Sequence, residues 1–209
     1  FIGYDDPLDC ESQEAIDEME MAAIKVRECW GVPDGPIKDL QYLLEQNGIL
    51  VTGFSIDEEK IDAFSQKIIV DNVDVFLIAV VLGSRPECRL RFDMAHELGH
   101  IVLHPWSEDI ESLPKEEFKA RERQANMFAS AFLLPRDSFS KDISQYPIDL
   151  KFYLFLKKKW KVSVQAMMYR ARQLDIISAN QYQYMMRQVS KNGWRTKEPD
   201  DIPGTLNES

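Results

Sequence analysis

All three histidines of this 209-residue chain fall within HELGHIVLH, residues 96–104, at spacings of four. Residues i and i+4 of a helix share a face, so His96 and His100 can turn ring nitrogens toward one point. With Glu97 between them they make HExxH. Neutral imidazoles suit zinc in a tetrahedral site that keeps one position for water. Zinc lowers the pKa of such a water from about 15.7 to roughly 7, and a neighbouring carboxylate, here Glu97, acts as base while a carbonyl is attacked. A helix with two surface histidines beside a solvated glutamate is the plainer alternative, but it would not gather every histidine of the chain here. The expected cofactor is one Zn2+ ion, although two histidines and a carboxylate also accept manganese or iron.

His104 cannot join them. It lies eight residues from His96, about 12 Å along a helix rising 1.5 Å per residue, and Ile101-Val102-Leu103 offers no glycine at which the helix would break. Its expected place is behind the ligands, or at the helix C-terminus where an imidazolium suits the dipole. With no histidine left, the third donor should be a carboxylate. The acidic loop offers Glu108, Asp109, Glu111, Glu116 and Glu117, all readable as solvated charges. Glu122 differs: it sits in the stripe Phe118, Glu122, Ala125, Ala129, Phe132, spaced as one helix face. A carboxylate in an apolar seam is costly unless a cation meets it. The two alanines permit close approach of another helix, as Gly99 does from the histidine side. Glu122 is the expected metal ligand, an ordinary salt bridge to Arg89 or Arg91 being the alternative. Asn126, one turn on, is placed to hydrogen-bond a liganding side chain.

Several elements must position these groups. Residues 11–30 and 37–46 carry helical patterns, closed by GVPDGP and by Asn47-Gly48. Residues 48–54 read as a strand, DAFSQKIIV as a second and VDVFLIAVVL (73–82) as a third. The histidine helix should begin near Arg89 and stop near His104, before Pro105. Another helix is expected at 115–133, closed by Pro135. The last third reads as three helices, two of them capped by Ser163 and Ser178. If the third strand lies at a sheet edge, it could take an extended peptide by strand addition; as a core strand it could not.

RFDMAHELGHIVLH (91–104) followed by ERQANMFASAFLLP (122–135) resembles the ImmA/IrrE family of metallopeptidases, with a match from about Leu40 to Pro135. The resemblance implies zinc held by His96, His100 and Glu122 with Glu97 as base. It also implies an α+β, zincin-like (gluzincin-type) domain with a small antiparallel or mixed sheet. Many relatives carry a second acid where this chain has Gln124. Such proteins cleave helix-turn-helix repressors in the control of mobile elements, phages or stress responses, and some are fused behind an Xre-type helix-turn-helix. A chain opening FIGYDD without methionine fits a fragment of such a fusion.

Composition sets the remaining bounds. The chain is 44% apolar, enough for a sizeable core. Cys10, Cys29 and Cys88, odd in number and scattered, argue for a reducing, cytoplasmic setting and for small buried side chains. No apolar run reaches membrane-spanning length, so no membrane partner is expected. The net charge of −10 is uneven: residues 1–142 balance at −15, residues 143–197 at +9. This divides the chain into a peptidase-like domain (1–142), a helical, helix-turn-helix-like subdomain (143–193) and a flexible tail (194–209). Lys157, Lys158, Lys159, Lys161, Arg170 and Arg172 could meet DNA phosphates. A solvated basic face on a packed subdomain is preferred, with Met167, Met168, Tyr182, Tyr184 and Met185 as core. The expected function is a zinc endopeptidase acting on a regulatory protein. The rivals are a metal-sensing or DNA-associated binding module without catalysis, and a toxin–antitoxin component.

Overall fold

The computed structural model describes residues 12–55, 62–83, 85–106 and 113–206. Two helices open the chain, α1 (Gln13–Cys29) and α2 (Leu40–Gln46). Ser12 and Asp39 cap them by accepting from the amides of Ala15 and Tyr42. Gly48, at φ +81°, turns the chain out of α2 into the first strand.

Three strands form one mixed sheet in the order β1-β3-β2: β1 (Ile49–Phe54), β2 (Ala63–Val70) and β3 (Val73–Val81). β2 and β3 make an antiparallel hairpin whose last pair is Val70 with Val73. Its two-residue turn places Asp71 and Asn72 at φ 50° and 62°, as tight hairpins demand. β1 joins β3 in parallel, with Ile49 opposite Phe76. Of the two alternatives left open for 73–82, edge or core strand, the second holds, because β3 is the central strand. Its uninterrupted apolar end, Ile78 to Val81, is buried, as a strand covered on both faces requires. Among the described residues β2 is the outer strand on the hairpin side.

α3 (Glu87–Leu103) follows the sheet and packs against β2, β3 and α4 (Lys115–Leu133), which in turn packs on α1. Pro135 ends α4 but also opens a further helix, α5 (Arg136–Ile143), which the sequence reading passed over. α6 (Leu150–Trp160), α7 (Val164–Gln173) and α8 (Ala179–Lys191) complete the fold. Ser163 caps α7, and Ser178 caps α8 with a full capping box through Gln181. One apolar core runs from Ala23, Leu44 and Ile78 through Leu98 and Phe132 to Met167, Met185 and Val189, without a break near residue 142. Tyr184, expected in that core, is exposed, as is Cys29, whereas Cys88 is buried. Cys10 lies outside the described residues.

The six cations singled out as phosphate contacts all meet carboxylates of this chain. Lys158 pairs with Asp200, Lys159 with Asp142, Lys161 with Glu87 and Arg172 with Asp175. Arg170 is buried and donates to both carboxylate oxygens of Glu20 on α1, at 2.8 and 2.5 Å. Lys157, also buried, lies 2.9 Å from Glu198 and 2.5 Å from Asp201. The basic stretch is thus answered largely by acids from the rest of the chain.

Those last two acids lie in the stretch expected to be a flexible tail, and both are engaged by the rest of the chain. Glu198 is 6% exposed and accepts from the amides of Val164 and Gln165 at the start of α7. A few residues on, the backbone pairs with the entry to α3: Glu87 N donates to Ile202 O, Gly204 N donates to Arg85 O, and Pro86 bridges Pro203. A charged segment looks mobile by composition, but here its acids satisfy a buried ammonium and two helix-end amides that would otherwise lack partners.

Candidate metal centre

α3 and α4 cross where neither has bulk. A Cβ built on Gly99 would lie 3.1 Å from Ala125 Cα and 3.2 Å from its carbonyl oxygen, so the close approach expected of Gly99 and Ala125 occurs. It brings Glu122 of α4 opposite His96 and His100 of α3. His96 Nε2 lies 3.4 Å from Glu122 Oε2, and His100 Nε2 lies 3.1 Å from Oε1. The two Nε2 atoms are 3.0 Å apart. Among the described residues these three form the one group of His, Cys, Asp or Glu side chains able to hold a metal together.

The donors fit a zinc-sized ion. Tetrahedral bonds near 2.0–2.1 Å put neighbouring ligand atoms roughly 3.3 Å apart, close to the separations found. The protons agree. Asn126 Nδ2 donates to Glu122 O, which turns the amide oxygen toward His96 Nδ1 at 3.2 Å. Nδ1 therefore carries the hydrogen, and Nε2 offers a lone pair to the centre. Lone pairs and a carboxylate facing one another need a cation between them. Burial pushes the His96 imidazole down, yet the Glu122 carboxylate facing it favours the protonated ring and raises it. Burial likewise opposes ionisation of Glu122, but His100 and His96 hold its carboxyl well below the usual range.

Glu97 points elsewhere, as an i+1 neighbour must. It is buried and accepts a hydrogen bond from Ser65 of β2, with Oγ to Oε2 at 2.6 Å. His104, the residue after α3, stands outside the donor group. Its Nδ1 is 2.9 Å from His100 Nδ1 and its Nε2 is 3.1 Å from Gln124 Oε1. Neither rival pairing of Glu122 is seen: Arg89 meets Asp62 and Asp93, and Arg91 donates to the Ile37 carbonyl. Glu116 and Glu117 pair with Lys119 and Arg121 on the outside of α4. Glu108, Asp109 and Glu111 lie outside the described residues. Phe118, expected in the seam with Glu122, is 44% exposed and stands outside it. Ser65 escaped the sequence reading, being one polar residue on an alternating strand. Gln124 stands out in the sequence only as a departure from the family pattern.

A small mixed sheet against a helix bearing HExxH, with a glutamate from the next helix in the donor group, is the arrangement of a zincin-type domain. The chain belongs to the family of IrrE N-terminal-like domains, Peptidase_M78, whose model matches residues 44–172. No curated protein gives a match. Solved structures similar to it include a Mycobacterium tuberculosis transcriptional regulator, at 20% identity and a TM-score of 0.50. That likeness covers 76% of this chain and 50% of the regulator, so the chain spans about half its length, and the likeness concerns the fold. Among the described residues no helix is long and apolar enough to cross a membrane.

Proposed function

We propose that this protein is a cytoplasmic zinc endopeptidase that cuts a specific regulatory protein, a helix-turn-helix repressor being the expected substrate. The observation that carries the reading is the convergence of His96, His100 and Glu122 with Glu97 beside them on α3. His96, His100 and Glu122 would hold the ion. When bound, zinc supplies a Lewis acid that polarises the scissile carbonyl and acidifies water. Glu97 takes the proton of the attacking water and passes it to the leaving amine. Asn126 keeps the His96 ring turned so that Nε2 faces the centre.

The outer edge of β2, without a partner strand among the described residues, suits an extended substrate, whose backbone would add to the sheet as a further strand. Ser65 of β2 contacts the proposed base, so a peptide on that edge runs past Glu97. Ion pairing of all six candidate phosphate contacts within the chain favours a helical part built into the peptidase over a DNA-binding module.

The test incubates zinc-loaded wild type and Glu97→Gln with helix-turn-helix regulators encoded beside the protein, reading new N-termini by mass spectrometry. Cleavage by wild type alone, with equal zinc in both proteins, is expected. Full cleavage by the variant sinks the mechanism.

A further inference from the structure

We propose that Gln124 is a positioning residue for the metal centre, dictating through His104 which nitrogen of His100 carries a proton. The proposal rests on the metal-binding reading of His96, His100 and Glu122. Behind the centre runs an unbroken line of side chains. Gln124 Oε1 is 3.1 Å from His104 Nε2, His104 Nδ1 is 2.9 Å from His100 Nδ1, and His100 Nε2 is 3.1 Å from Glu122.

Each of the first two links, Gln124–His104 and His104–His100, holds one hydrogen, so the acceptor at the far end sets both. An amide oxygen can only accept, so His104 carries its hydrogen on Nε2. A neutral His104 then has a bare Nδ1, which accepts from Nδ1–H of His100. His100 is left with a lone pair on Nε2, turned into the donor group. Rotating the Gln124 amide by half a turn moves every hydrogen one step. His104 Nε2 would then accept, Nδ1 would donate, and the His100 proton would sit on Nε2, where it blocks a cation. Asn126 orients His96 in the same way from two residues further along α4. Two amides of one helix therefore set the tautomers of two histidines of the other. Gln124 differs in acting across an intervening ring and in having two orientations that demand opposite tautomers.

The experiment uses the whole chain, with zinc ion as probe. Zinc affinity is read by competition with a chromophoric chelator, and imidazole tautomers by long-range proton–nitrogen NMR of the metal-free protein, whose three histidines are readily assigned. Gln124→Leu, with no acceptor, should weaken zinc binding about 10–100-fold, the usual effect of losing a partner of a liganding histidine. It should also leave His100 with mixed tautomers and His96 unchanged. Gln124→Glu accepts but cannot donate, and should bind zinc at least as tightly as wild type. The proposal is overturned if Gln124→Leu matches wild type, or if Gln124→Glu weakens zinc as much as Gln124→Leu does. Wild type that takes up no zinc overturns the metal reading and the proposal together, whereas zinc-binding wild type with an indifferent Gln124→Leu overturns the proposal alone.

Discussion

The hydroxyl of Ser65, on the edge strand, donates to the carboxylate of Glu97, on the histidine helix, at 2.6 Å. A base must hold its position while it shuttles a proton, and a buried carboxylate with one strong hydrogen bond does so better than a free one. Ser65→Ala should therefore lower turnover by about tenfold, within the range general-base geometry controls, with bound zinc unchanged. Ser65→Thr, which keeps the hydroxyl, should recover most of it. Equal turnover by wild type and Ser65→Ala would remove the serine from the catalytic account.

Glu122→Ala tests the donor set. Plasma mass spectrometry on purified protein should find near-stoichiometric zinc in wild type and much less in the variant, since two imidazoles alone make a weak site. Zinc that stays unchanged would show that the third ligand lies elsewhere.

The helix crossing has little room. Gly99→Ala sets a methyl 3.1–3.2 Å from backbone atoms of Ala125 and from the Phe128 ring. Backbone cannot step aside as a flexible side chain would, so the expected loss is about 1–3 kcal/mol, read as a lower urea midpoint. An unchanged midpoint would mean that α4 slides freely on α3.

These features differ in how far the sequence reveals them. The donor stripe, the helix caps and the Gly99–Ala125 contact are legible because residues three or four apart share a helix face. The centrality of β3, the Ser65–Glu97 bond and the ion pair of Arg170 with Glu20 are not, since each joins positions far apart in the chain. Pro135 shows a subtler limit: it signals a helix end, but the same fixed φ also opens α5.

Asp93 should give the metal-free protein a pH-dependent stability. Burial raises its carboxyl to about 6, against opposition from Arg89 and Arg85. The folded chain thus holds this proton more tightly than the unfolded chain, where the group titrates near 3.8. Its contribution to stability is complete below that value and is lost as pH rises through about 6. Asp93→Asn, which cannot ionise, should flatten the melting-temperature profile in that window. An identical slope in both proteins would discount Asp93.

Arg170 and Glu20 form a buried pair, and removing one partner strands the other. Arg170→Met should cost about 3–5 kcal/mol in chemical denaturation, with much of the loss regained when Glu20→Gln is added. Two single losses that simply sum would argue against a coupled pair.

The segment from Glu198 to Gly204 also sets an order of events during synthesis. It leaves the ribosome after every element it holds, so a nascent chain has an untethered start to α3 and bare amides at α7 until these residues arrive. Helices can form earlier, but the leading end of the histidine helix is tied down only afterwards. A ribosome stalled before residue 198 would display HELGH on a frame that is not yet closed, and final setting of the metal helix waits for residues 198–204 to be made.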